Sequence, residues 1–127
     1  MVYIVDPSDA YRNHVASLCS RLGYPSTTFR SAEDLLDESA HNSLNGCVVS
    51  EVDLPGINGL ELLDRLRAKN VSMPFIILTA ELDVKYAVTA FRNNVSSYLI
   101  KPAVERELAK AVETALQMSK SAGDSEH

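Results

Sequence analysis

Five short apolar or β-branched runs, each followed by a longer segment of helical period, constrain this chain more than any other feature. Val2 to Val5, Ser26 to Phe29, Gly46 to Val52, Phe75 to Leu78 and Tyr98 to Ile100 read as strands. The first and fourth, VYIV and FIIL, show no polar alternation, so their strands are covered on both faces. After the first run, Tyr11, Val15, Leu18, Cys19 and Leu22 fall at i, i+4, i+7, i+8 and i+11, one face of a helix. Ser8 or Asp9 can cap its start and Gly23 can end it. Ser31 opens a second helix with Ala32, Leu35 and Leu36 inward. Leu60, Leu63 and Leu66 give a third stripe, widened by Leu62. Val84, Ala87, Val88 and Phe91 give a fourth, and Leu108, Val112, Ala115 and Leu116 a fifth. Strand-helix repeated in this way predicts an α/β protein: a doubly wound five-stranded parallel sheet with five helices and right-handed crossovers.

The length of 127 residues suits one core. Residues 1–118 read as that domain, and SKSAGDSEH, residues 119–127, as a polar frayed end or the start of a linker. A net charge of -5 with no Lys/Arg stripe argues against holding nucleic acid. No apolar segment is long enough to cross a bilayer, and MVYIVDPSD has no signal-peptide pattern, so a cytoplasmic location is the default. Cys19 and Cys47 both sit in apolar patterns and are expected to be buried reduced thiols. His14, His41 and His127 have no ligand spacing and read as surface residues.

In such a sheet, ligands gather beyond the carboxyl ends of the strands. The residues there are Asp6 and Pro7 after the first strand, Glu51 and Asp53 at the third, Thr79 and Ala80 after the fourth, and Lys101-Pro102 after the fifth. Singly, each has a bland explanation as a cap, a turn residue or a solvated charge. Together they bring carboxylates, a hydroxyl and an ammonium to one crevice.

Through VYIVD, SAEDLL, LPGINGLELL, ILTAELD and YLIKP, the chain resembles the receiver domain of bacterial response regulators, most of all the NarL/FixJ type, over nearly its whole length. The resemblance implies a flavodoxin-like strand order of 2-1-3-4-5. It implies a switch in which an Asp ending the third strand accepts phosphate and an acidic pair after the first strand holds Mg²⁺. Thr79 and Lys101 match the residues that hold the phosphoryl oxygens. Tyr98 matches the switch aromatic, Ala80 the small residue that gives it room, and Gly59 the glycine that opens the third helix. Lys101-Pro102 matches a bond commonly held cis.

Two positions depart. The acidic pair reads Asp6-Pro7, and the acceptor position, four residues before Pro55, holds Glu51. Glutamate carries its carboxylate about 1.5 Å further out than aspartate. In-line transfer tolerates little misplacement, and Mg²⁺ demands near-octahedral oxygen coordination. Asp6, Glu51 and Asp53 are therefore expected to offer a weak magnesium site or none, with no other cofactor and no enzymatic activity.

Two readings of Glu51 follow. In one, its carboxylate imitates the phosphorylated state by reaching Thr79 and Lys101; it brings one charge against nearly two for a phosphoryl group. In the other it is a relic on a docking scaffold, with Lys101 and Asp6 a local ion pair. Either way the expected function is a phosphorylation-independent receiver-like domain. The resemblance makes the fourth helix, fifth strand and fifth helix the face for a protein partner or a second copy, with any transcriptional output domain outside the chain. The alternative is a receiver that still takes phosphate, on Glu51 or Asp53. A flavodoxin-like nucleotide or flavin binder is disfavoured, because DPSDAYR stands where a Gly-rich phosphate loop would be.

Overall fold

A computed structural model describes residues 1–125, with the backbone alone over 121–125. The five strands are β1 (Val2–Val5), β2 (Ser26–Phe29), β3 (Cys47–Ser50), β4 (Phe75–Thr79) and β5 (Ser97–Ile100). They alternate with α1 (Asp9–Arg21), α2 (Ala32–His41), α3 (Gly59–Ala68), α4 (Val84–Arg92) and α5 (Glu105–Ser125). All pairings are parallel, in the order β2-β1-β3-β4-β5. The doubly wound sheet and its strand order are as expected.

Two apolar clusters cover the two faces of the sheet. Val5, Val48, Phe75 and Ile77 pack with Leu35, Leu62, Leu63 and Leu66 on the side of α2 and α3. Ile4, Val49, Ile76 and Leu78 pack with Val15, Leu18, Leu108 and Val112 on the side of α1 and α5. Cys19 and Cys47 lie in the second cluster as free, fully buried thiols. Burial raises both thiol pKa values, and Cys47 is pushed up to about 12, with Cys19 adding to the effect.

The caps follow the sequence. Ser8 and Ser31 accept hydrogen bonds from the Tyr11 and Asp34 amides and open α1 and α2. Gly23 follows α1 at φ +84°, a left-handed conformation that costs glycine nothing.

Three differences matter. β3 stops at Ser50, so Glu51 lies one residue past the strand and not within it. α5 runs through Ser125, well into the segment read as a polar tail; residues 126 and 127, with His127, lie outside the described residues. A helix of this polarity needs only its Leu108, Val112 and Ala115 face buried, and the small polar residues beyond 118 do not interrupt it. Finally, the α4 stripe does not enter the core. Val84, Val88 and Phe91 are 73%, 43% and 58% exposed, and Ala90 is the α4 residue that is fully buried.

Candidate functional site

Parallel register brings the site together. Val5 pairs with Ser50, so the next residues, Asp6 and Glu51, emerge side by side. Ser50 pairs with Ile77 and Thr79 with Ile100, which places Thr79 and Lys101 beside them. Backbone bonds carry the ladder into the site: Glu51 N–H donates to the Val5 carbonyl at 2.9 Å, and Lys101 N–H to the Thr79 carbonyl at 2.8 Å.

Glu51 is buried, at 6% exposure, and its carboxylate is divided between two partners. Its Oε1 accepts the Thr79 hydroxyl at 2.8 Å and, more weakly, the Asp53 amide at 3.4 Å. Its Oε2 lies 3.2 Å from Lys101 Nζ as an ion pair and makes no directed hydrogen bond. Lys101 Nζ donates to Asp6 Oδ2 at 2.7 Å. Asp6 Oδ1 accepts the Ser8 amide at 2.8 Å. Burial alone would lower the lysine pKa, but the hydrogen bond and charge of Asp6 and the charge of Glu51 outweigh it, and the Lys101 pKa is raised.

The hydroxyl passes the contact onward. Thr79 Oγ1 accepts the Glu81 amide at 3.0 Å, which ties down the β4–α4 loop. The carbonyl of that same Glu81 accepts the Tyr98 hydroxyl at 3.3 Å. Tyr98 is thus turned in towards the loop that follows Thr79. Its phenol pKa is raised, by burial first and then by the charges of Glu81, Glu51 and Asp83. Ala80 is exposed at the mouth of the pocket.

Three residues outside the expected site act here. Tyr11, read as a core stripe residue, is half-buried, with its ring 3.8 Å from Lys101 Nζ. Arg12, 8% exposed, donates to the Asp6 carbonyl at 2.7 Å and pairs with Asp9. Glu33 reaches from α2 to accept the Ile57 amide at 3.2 Å and packs where a Cβ on Gly56, at φ +75°, would stand. A glutamate in SAEDLL reads as a helix N-terminal charge, so its second use as a loop anchor leaves no local signal.

Asp53 is exposed on the rim. Asp6, Glu51 and Asp53, expected to offer a weak magnesium site or none, line one pocket. Among the described residues, no three His, Cys, Asp or Glu side chains stand close enough to hold a metal ion. Asp6 is spent on Lys101 and the Ser8 amide, and Glu51 on Thr79 and Lys101. Lys101 thus balances both buried carboxylates.

The model of the response regulator receiver domain matches residues 2–113. The chain belongs to the response regulator receiver family. The receiver is 34% identical over 125 residues to the transcriptional regulatory protein FixJ of Bradyrhizobium diazoefficiens, covering 98% of this chain and 60% of that protein. Against FixJ of Azorhizobium caulinodans it is 35% identical, with 98% and 59% covered. It superposes on full-length FixJ of B. japonicum with a TM-score of 0.87 over 98% of this chain and 61% of that one, at 34% identity. On the response regulator StyR the TM-score is 0.90 over 98% and 63%, at 28% identity. The receiver therefore spans about 60% of the length of these relatives. Among the described residues no helix is long and apolar enough to cross a membrane.

Proposed function

We propose that this receiver works without a phosphorylation cycle, with Glu51 in the acceptor place holding the pocket much as a phosphoryl group would. The observation that carries this reading is one continuous chain of contacts. Glu51 Oε1 holds the Thr79 hydroxyl, Thr79 holds the Glu81 amide, and the Glu81 carbonyl holds the Tyr98 hydroxyl. Glu51 Oε2 faces Lys101 at the same time. These are the residues to which the family assigns phosphoryl recognition and the switch, and here a carboxylate engages both arms of the pocket. That favours mimicry over a relic, which would leave Thr79 without a partner.

The output is binding and not catalysis. Leu82, Val84, Val88, Phe91, Ile100 and Val104 are exposed along α4, β5 and the start of α5. Apolar side chains gathered in this way mark a docking surface. That face takes a protein partner or a second copy of the chain, in the cytoplasm, and this domain touches neither membrane nor nucleic acid. Regulation of transcription would belong to an output domain beyond residue 127.

Incubation with a small phosphoryl donor and Mg²⁺, followed by intact mass, should show no stable phosphate adduct. The double change Glu51→Asp with Pro7→Asp should restore Mg²⁺ binding and phosphate uptake. A stoichiometric adduct on the unaltered chain, lost in Glu51→Gln or Asp53→Asn, would overturn the reading.

A further inference from the structure

We infer that Tyr11 pins the Lys101 ammonium between Asp6 and Glu51, so that the protein's own lysine occupies the place a divalent cation would need. Lys101 faces both buried carboxylates of the pocket. Its side chain is 10% exposed, with Asp6 at 2.7 Å and Glu51 at 3.2 Å. Two carboxylates do not by themselves fix a lysine, whose flexible stem has much rotamer freedom to lose. The ring of Tyr11 supplies the third side, 3.8 Å from Nζ. Cation–π attraction strengthens as the charge is withdrawn from water, and the Lys101 side chain is only 10% exposed. Tyr11 therefore acts through Lys101 as a positioning residue and not merely as part of the α1 apolar stripe. Val15 and Leu18 on that stripe are fully buried, whereas Tyr11 lies half-open along the same pocket as Asp6, Glu51 and Asp53.

With the ammonium in place, its charge already partly balances both carboxylates, so a metal has to compete with Lys101 for Asp6 Oδ2 and Glu51 Oε2. Loss of the ring releases the lysine from its third side and lets the carboxylates compete for a cation. Tyr11's role does not depend on whether Glu51 accepts phosphate, so its failure and the failure of the phosphate-free reading are separate results.

The test uses the full chain labelled with [ε-¹³C]lysine. The Hε protons of Lys101, assigned with Lys101→Arg, should lie upfield through the ring current in the unaltered protein and in Tyr11→Phe. They should return to the ordinary lysine position in Tyr11→Leu. Mn²⁺ is the metal probe, read by loss of the free-ion paramagnetic signal. Tyr11→Leu should bind it roughly tenfold more tightly than the unaltered protein or Tyr11→Phe, the size expected for losing a desolvated cation–π contact. Lys101→Met should gain at least as much, and it supplies the same comparison should Tyr11→Leu fold poorly. Unshifted Hε protons in the unaltered protein would overturn the inference. So would Mn²⁺ affinity that is the same in the unaltered protein, Tyr11→Leu and Lys101→Met.

Discussion

At the scale of single residues, the extra methylene of Glu51 is the decisive detail. It lets one carboxylate meet the Thr79 hydroxyl at 2.8 Å and Lys101 at 3.2 Å. Thr79→Val keeps the shape but removes the hydroxyl. It leaves a buried Glu51 oxygen and the Glu81 amide without that partner, and unfolding in urea should show a loss of about 1–3 kcal/mol. The pH dependence follows from Lys101 and Tyr98, whose pKa values are both raised in the fold. A raised group holds its proton more tightly when folded, so its contribution is complete below the ordinary lysine and tyrosine values and is lost as pH rises through the raised ones. Through these two groups, urea midpoints should hold steady up to about pH 10 and fall as the pH rises beyond it. Asp6, Thr79 and Lys101 were legible in the sequence because each follows a recognisable strand. Tyr11 was not, because an aromatic residue on an apolar helical stripe reads as core, and no spacing says that its ring meets a lysine from the far end of the chain. Cys19 and Cys47, by contrast, were correctly read as buried, and neither should react with iodoacetamide until the chain unfolds.

At the scale of elements, the five strands appear in the expected number and order, with β3 shorter than read, because unalternated apolar runs favour a sheet covered on both faces. Periodicity gave the α4 stripe but could not say what covers it. Val84, Val88 and Phe91 repeat at helical spacing and yet face solvent, because α4 seats against the core through Ala90 and Tyr86. Changing Phe91 to Asp should therefore leave the thermal midpoint nearly unchanged while abolishing any association through this face, as sedimentation would read. The loop after β3 behaves differently. Gly59 opens α3 directly beneath the Glu51 carbonyl, and an added Cβ would stand 2.2 Å from that oxygen. Backbone has no room to yield there. Gly59→Ala should cost about 1–3 kcal/mol and disturb the Glu51–Thr79 contact, visible as altered Tyr98 ring signals. The helical backbone of α5 continues through Ser125 for a related reason. Small polar residues do not favour a helix, but they do not stop one whose inner face is already anchored at Leu108, Val112 and Ala115.

At the scale of the whole molecule, the contacts from Glu51 to Tyr98 link the floor of the pocket to β5, which borders the exposed apolar face. A phosphorylated receiver spends a covalent modification to set that linkage; in the function proposed here, the buried Glu51 side chain sets it instead. The orientation of Tyr98 in solution tests this most directly. Nuclear Overhauser contacts between the Tyr98 ring and the residues Thr79 and Glu81 should be present in the untreated protein. They should not change on addition of beryllofluoride with Mg²⁺, and they should weaken in Glu51→Ala. A Tyr98 ring that is turned outward in the untreated protein, and swings in only when the phosphoryl analogue is added, would contradict the account.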